Sequence, residues 1–514
     1  MRIRSLVAIV AACVLAASAE SRAQASAYVP LDDIAYTYVD ALMSRGLLPE
    51  LSALERPFAV NVLRGALDSA RTRSPGTTVT TYLDALTDAI DKYSVRRNDV
   101  DSAAAETFRA RGTGDLYVTS QTSGRRELML SDHRNKVAPG GSIRLVMSGG
   151  PVVGFTRALI DSRLTSDPEF PGRTDRKING RIEDGYVGAQ WRFGEISLGR
   201  VGRDWGPSKL GGLMLSNYAY TYDHLYGRLG TQKINWSTVI ARLNDSLTNS
   251  GLHIDRYFSI HRLAIHVGKW ELAGSESYVY SGVGRGFEPS VVNPLNIYSL
   301  SWRNEKLEGN LGLGAEVALR TDKYGLFSGQ LFIDDLQIDR GCGTVCTQPS
   351  SYGLSLSAEG LPLAGDQRWF ASYTRVSNLA YRNKVPSDTY ENFGVGLARG
   401  FSDYDEVRAG LDLAMLPRTP LRVYAARRRQ GEGSYNMPFP LPAEWASTPG
   451  MFSGIVMGVT RVGISGVSRL KDFEFSGDVG VNHETSSAHV TGATRTAFEG
   501  RVKVAIEPRW TVNF

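Results

Sequence analysis

Cysteine is nearly absent from this chain, 3 in 514 residues, and one of the three, Cys13, falls in an N-terminal leader. Long apolar runs are missing too. Beyond the leader no stretch approaches the roughly 20 apolar residues that a membrane-spanning helix needs, which excludes helical anchors. Charge of one sign is lacking: the formal net charge is only +5, and the basic groups are scattered rather than gathered on one element. That argues against nucleic acid as a partner. There is no phosphate-binding loop, no zinc-protease signature and no G-x-S-x-G elbow, so Tyr222-Asp223-His224 has no partnered nucleophile. The histidines are dispersed; His261 and His266 differ by five and would point to opposite faces of an extended strand. These absences point away from enzymes, and no cofactor or metal is implied.

The leader has the features of an export signal. Arg2 and Arg4 precede an apolar run from Ser5 to Ala17, and Ala23-Gln24-Ala25 forms a small-x-small cleavage site, so residues 1–25 read as a signal peptide. A competing reading takes Val10-Ala11-Ala12-Cys13 as a lipoprotein box. In the exported chain Cys342 and Cys346 remain, flanked by glycine. An oxidising compartment favours a small disulfide loop between them, with free thiols as the alternative. A metal site would need two more ligands, which the local segment does not hold.

Residues 26–110 read as a helical bundle. Asp32 and Asp33 open an apolar stripe of Ile34, Tyr38 and Leu42 that stops at Gly46; Pro57 leads Phe58, Val62, Leu63 and Leu67; Tyr82, Leu83, Leu86, Ala89, Ile90 and Tyr93 form a third stripe. From about residue 111 the period changes to two. Gly185–Gly194, Asn310–Leu319, Val407–Leu413 and Leu421–Ala426 alternate clearly, and Val502, Val504 and Ile506 lead into Trp510, Val512 and Phe514 in the same parity. Pro508 interrupts that last run. Runs near ten residues suit tilted membrane strands. An exported chain of this length exceeds one ordinary soluble core, and no repeat of fixed period suggests a propeller or solenoid. The mean hydropathy of -0.20 fits strands that are polar on alternate residues. The fold class expected is all-β: a large antiparallel transmembrane barrel of about 18 strands over residues 111–514, with a small N-terminal helical bundle.

Several motifs stand out. In Arg203-Asp204-Trp205-Gly206-Pro207 the charged pair could form an ion pair or network, Trp205 could stack on a sugar face, and Gly206-Pro207 would turn the chain; the alternative is a network that merely packs the lumen. Leu213-Met214-Leu215-Ser216-Asn217-Tyr218 follows as a strand or an inward-folding loop. Asp334 and Asp335 lie on opposite faces of any strand and form no ready dyad; calcium, with Asp339 nearby, is the less favoured alternative to a structural polar network. Arg427, Arg428 and Arg429 at a strand end could meet lipopolysaccharide phosphates or acidic polymer, or form a plain solvated loop. Trp191, Trp236, Trp270, Trp302, Trp369 and Trp510 are spread as interfacial girdles require.

Arg203–Pro207 followed by Leu213–Asn217 closely resembles the central signature of the Wzi family of capsule assembly proteins. Asn293-Pro294-Leu295-Asn296, the Asp334-Asp335 pair after Gly329-Gln330-Leu331-Phe332-Ile333, and Tyr28-Val29-Pro30-Leu31-Asp32-Asp33 resemble its other landmarks in order. The resemblance implies an 18-stranded outer-membrane barrel with a periplasmic helical bundle. It implies a lectin-like, non-enzymatic role in attaching or organising capsular polysaccharide, among outer-membrane lipid, lipopolysaccharide and periplasmic export components. A porin-like channel for sugars or other small solutes is the alternative function.

Overall fold

The computed structural model describes residues 25–73, 76–95, 108–248, 250–293, 295–305, 308–335, 348–507 and 512–513. Residues 1–24 of the leader, Pro294, Asp339, Cys342, Cys346, Pro508, Trp510 and Phe514 lie outside the described residues.

Eighteen long strands pair antiparallel, each with its sequence neighbour. They are β1 (Arg109–Gln121), β2 (Lys136–Gly149), β3 (Val152–Asp161), β4 (Asn179–Trp191), β5 (Gly194–Arg200) and β6 (Asp223–Gly230). Next come β7 (Ile234–Arg242), β8 (His253–Val267), β9 (Trp270–Gly282), β10 (Asn310–Thr321), β11 (Gly325–Asp335) and β12 (Ser351–Pro362). The last six are β13 (Arg368–Val376), β14 (Tyr404–Leu416), β15 (Thr419–Gln430), β16 (Met457–Leu470), β17 (Phe473–Thr485) and β18 (Thr494–Ile506). β1 pairs with β18 from Leu116↔Ile506 to Gln121↔Arg501, which closes the sheet into a barrel. Closure leaves no unpaired edge, the condition for crossing a bilayer with strands.

The period-two pattern sorts the side chains. On β18, Val502, Val504 and Ile506 are exposed on the outer wall, while Arg501, Lys503 and Ala505 face the lumen. Val407 and Leu411 on β14, and Leu313 and Val317 on β10, join the same outer apolar band. Water would not tolerate so large an apolar surface; a bilayer requires it. Trp191, Phe193, Trp270 and Trp369 gather at the strand ends joined by short turns, such as Gly150-Pro151 and Gly268-Lys269, and form an aromatic girdle there. The other ends carry the long connections. This is a transmembrane barrel of the outer membrane.

Helices α1 (Ala35–Met43), α2 (Val60–Thr72) and α3 (Thr77–Ile90) precede the barrel. Tyr38, Leu42, Leu63, Leu67, Tyr82, Leu86 and Ile90 form their shared core, each large side chain contributing about 1.5–3 kcal/mol. Gly46, at φ 77°, ends the first helical segment in the left-handed region. Two expectations need correction: α2 begins at Val60 rather than Pro57, and Val62 faces outward, 42% exposed, because the backbone before it is extended.

The bundle sits in the short-turn mouth. The Tyr38 hydroxyl donates to the Arg418 carbonyl at 2.7 Å, and the Ser26 N–H donates to Gln190 Oε1 at 2.9 Å. Lys92 bridges Asp33, Glu474 and Glu507 at 2.8, 2.9 and 2.7 Å. Burial alone would lower the Lys92 ammonium pKa, but these carboxylates carry it well above the usual lysine value.

A further helix, α4 (Tyr298–Glu305), lies against the outside of the wall. Tyr298 packs on His261, centroids 4.2 Å apart, and the Tyr298 hydroxyl sits 2.7 Å from the Ser259 hydroxyl. His261, 3.2 Å from Glu276, is thus an outer-wall residue shielded by α4.

Candidate functional site: the polar lumen

Extended chain enters the lumen from two directions. Behind α1, Glu55-Arg56 pairs antiparallel with Asp204-Trp205, in register Glu55↔Trp205. Beyond, the segment between β5 and β6 folds inward: the Trp205 N–H donates to the Leu215 carbonyl at 2.9 Å, and Leu213, Met214 and Leu215 are fully buried. The stretch read as strand or inward-folding loop is therefore an inward fold.

Within the central motif each residue bonds to the wall or plug around it. Arg203 does not pair with Asp204. It donates from Nε to His224 Nε2 at 2.9 Å and from Nη2 to Ser197 Oγ at 3.2 Å, and lies over the Tyr226 ring at 3.4 Å. Asp204 instead accepts the Gly212 N–H at 2.8 Å. Burial raises its carboxyl to about 6, against the opposing pull of Arg56. Trp205 is 1% exposed and is not available to stack on a sugar. The Gly206 N–H donates to the Leu54 carbonyl at 2.8 Å, and a Cβ there would come within 2.8 Å of the Gly212 Cα, so the close approach of the two backbones requires glycine. Pro207 opens the turn closed by the Leu210 N–H, at 3.2 Å. Asn217 is exposed beside a cavity of about 280 Å³ between this segment and β3–β4.

Distant landmarks converge here. Gln330 on β11 donates to the Trp205 carbonyl at 2.9 Å and accepts the Leu213 N–H at 2.7 Å. Asp334, four residues on, accepts the Tyr381 N–H at 3.0 Å, and the Tyr381 hydroxyl donates to the Leu213 carbonyl at 2.9 Å. Asp335 bonds Gln348 instead. Asn293 takes no part: its side chain accepts the Leu295 N–H at 3.1 Å, holding a local turn outside the lumen. Of the three arginines on β15, Arg428 faces in, over Tyr404 at 4.0 Å. Arg427 and Arg429 face out, Arg427 to Thr460 and Arg429 to Asp405. They belong to the strand, so alternation rather than loop solvation decides their surroundings.

Some lumenal residues escaped sequence reading. Arg262 on β8 is fully buried and holds Glu55 at 3.1 Å and Glu316 at 2.9 Å, with Glu271 at 3.6 Å. It ties the plug to three strands. Its only sequence signal is a charged residue at an inward position among Phe258, Ile260 and Ala264. Among the described residues, no group of three or more His, Cys, Asp or Glu side chains could hold a metal ion.

The lumen is filled unevenly. The inward segment, Tyr381 and Tyr390 pack an apolar cluster against Phe258, Ile260 and Phe332 on one side. Against β14–β18, a cavity of about 610 Å³ remains between the wall, α1, α3 and the β1–β2 connection. Its lining carries nine Arg or Lys side chains and five Asp or Glu.

No protein-family model and no curated protein matches the chain. Among solved structures, the chain is similar along nearly its whole length to Wzi, an outer-membrane protein involved in group 1 capsule assembly in Escherichia coli and described as a carbohydrate-binding β-barrel. That match has a TM-score of 0.60 at 13% identity and covers 94% of this chain and 99% of the other. The two share a fold. More distant is the outer membrane protein opdK from Pseudomonas aeruginosa, with a TM-score of 0.44 at 12% identity, covering 80% of this chain and 99% of the other.

Proposed function

We propose that this protein binds exported surface polysaccharide at the outer membrane and holds or organises it there, without catalysing a reaction. The observation that carries this reading is the filled lumen: a helical bundle seated in one mouth, the extended chain behind α1 held by Arg262, and a buried segment locked across the interior by Gln330 and Tyr381. Such a barrel is built to present surfaces rather than to pass solutes. The solved structure it resembles along nearly its whole length is described as carbohydrate-binding, which supports the same reading. The bundle lies on the periplasmic side, where it is available to export components, and the long connections face outward toward polymer. Weak contacts repeated along a polymer add through effective concentration, so no single deep subsite is required. Arg427, exposed near the long-connection rim, meets lipopolysaccharide phosphate.

The test is deletion of the gene, followed by measurement of cell-bound against released polysaccharide at equal total synthesis. A shift from bound to released, restored by the intact gene, supports the proposal. Unchanged retention with normal surface architecture refutes it, and planar-bilayer conductance would then test the channel alternative.

A further inference from the structure

The cavity against β14–β18 has an unusual charge arrangement. Several of its arginines are held by carboxylates: Arg422 by Asp412 at 2.7 Å, Arg461 by Asp478 at 2.7 Å, and Arg163 by Asp161 at 2.6 Å. Three other cations on its lining are not. Arg501 donates to Gln121 Oε1 at 3.2 Å and to the Arg125 carbonyl at 2.6 Å, Lys503 lies over the Tyr117 ring at 4.3 Å, and Arg45 donates to the Ala41 carbonyl at 2.7 Å. Among the described residues, none of these three is ion-paired with a carboxylate. They come from opposite boundaries of the space, Arg501 and Lys503 from β18 and Arg45 from the end of α1. Asp32 and Asp115 attract Lys503, Asp412 and Asp366 attract Arg45, and Asp167 attracts Arg501, but none of these carboxylates is within ion-pair distance, so each cation can still take an added anion.

The remaining lining narrows the anion's chemistry. Asp412, Asp478 and Asp40 also face the cavity, and Tyr82 and Tyr424 add aromatic surface. Carboxylates repel a small, highly charged ion but accept hydrogen bonds from hydroxyls. A volume of about 610 Å³ lies within the range of organic-ligand sites and exceeds what an inorganic anion fills. We infer that this cavity binds a short stretch of acidic saccharide, one sugar carboxylate held by Arg501 and Lys503 on the wall and another by Arg45 on the bundle side, with hydroxyls bonding the lumenal aspartates. The inference rests on the polysaccharide-binding reading and names the substrate class and the place. The β1–β2 connection, through Arg126 to Met129, forms the boundary toward the long-connection side, where polymer would arrive.

The experiment uses the full chain, purified in detergent micelles and shown to be folded by heat-modifiable gel mobility. Calorimetric titrations compare tetragalacturonate, neutral maltotetraose and inorganic phosphate. The expected result is that tetragalacturonate binds at least about tenfold tighter than maltotetraose, and that phosphate competes only weakly. R501Q/K503Q should weaken tetragalacturonate binding about tenfold or more. Should that strand variant fail to fold, Arg45→Gln on the bundle should weaken binding severalfold through a separate element. Equal affinity for the neutral tetramer overturns the anionic preference. Phosphate competition at matching concentration overturns the saccharide assignment, and unchanged binding in folded R501Q/K503Q or R45Q overturns the location. Failure of tetragalacturonate to bind, with retention still dependent on the gene, overturns the cavity assignment and leaves the general function standing. Binding that these variants abolish, with retention unaffected by deletion, keeps the cavity site and overturns the function.

Discussion

Replacing Arg262 by methionine should unseat the extended segment that leads from α1 into the lumen. The guanidinium is fully buried and contacts Glu55 at 3.1 Å, Glu316 at 2.9 Å and Glu271 at 3.6 Å. Glu55 also accepts from Tyr226 and Ser237, at 3.1 and 3.2 Å. Removing the shared cation leaves several carboxylates in a dry interior, and breaking a buried pair in this way costs about 3–5 kcal/mol. At about 1.4 kcal/mol per decade, that corresponds to a rise of roughly two to three and a half decades in local opening. The barrel ladders do not depend on this cation, so opening should be confined to residues 50–58 and their partners at 204–206. Amide hydrogen exchange in micelles measures it directly: protection at the Gly206 N–H, donated to the Leu54 carbonyl, should fall by a factor of about 100 or more. Glu55→Gln should cost less, because Arg262 keeps Glu316 and Glu271 and no charge is left unpaired, and the two changes should be strongly non-additive. Unchanged exchange at Gly206 in Arg262→Met, with the barrel still folded, would refute the reasoning.

Further outcomes follow from the same contacts. Trp205→Ala should cost about 3–5 kcal/mol of local stability through the cavity it leaves, read as faster exchange at Leu213–Leu215, while polysaccharide binding per folded molecule stays unchanged; a binding loss without local loosening would restore Trp205 as a contact residue. Because burial raises the Asp204 carboxyl to about 6 from an ordinary 3.8, its favourable contribution is complete below pH 3.8 and lost as pH rises through about 6. D204N should therefore flatten the pH dependence of exchange at Gly212 across that window, and an unaltered profile would count against it. On the outer wall, Val504→Arg should destabilise by about 2–4 kcal/mol if it lies near the bilayer midplane. The neighbouring lumenal change Lys503→Gln should cost far less. Folding yield into vesicles separates the two, and equal yields would contradict the assigned faces.

Much of the fold was legible because its physics is periodic. Alternation such as Val502, Val504, Ile506 against Arg501, Lys503 is imposed by a strand with lipid on one side and a polar lumen on the other, and any stretch of sequence carries that signature locally. The helical stripes of Tyr38–Leu42 and Tyr82–Ile90 follow from the same argument at another period. The site was legible only in part. Arg203, Asp204 and Trp205 stood out by density, yet their partners are His224, Gly212 and Leu215, and adjacency gave no hint that Arg203 and Asp204 would turn apart. Trp205 had the composition of a sugar platform and proved to be core.

What the chain determined by itself was closure, the two faces of each strand and the presence of a helical bundle, all consequences of local pattern and of the need to satisfy every backbone group in lipid. Only tertiary structure decided that Glu55 would meet Arg262 across more than 200 residues and that Gln330 and Tyr381 would lock the inward segment. It alone brought Arg501, Lys503 and Arg45 around one space with, among the described residues, no carboxylate in ion-pair contact. Lumenal positions on distant strands are uncorrelated in a single sequence; they become neighbours only when the barrel closes.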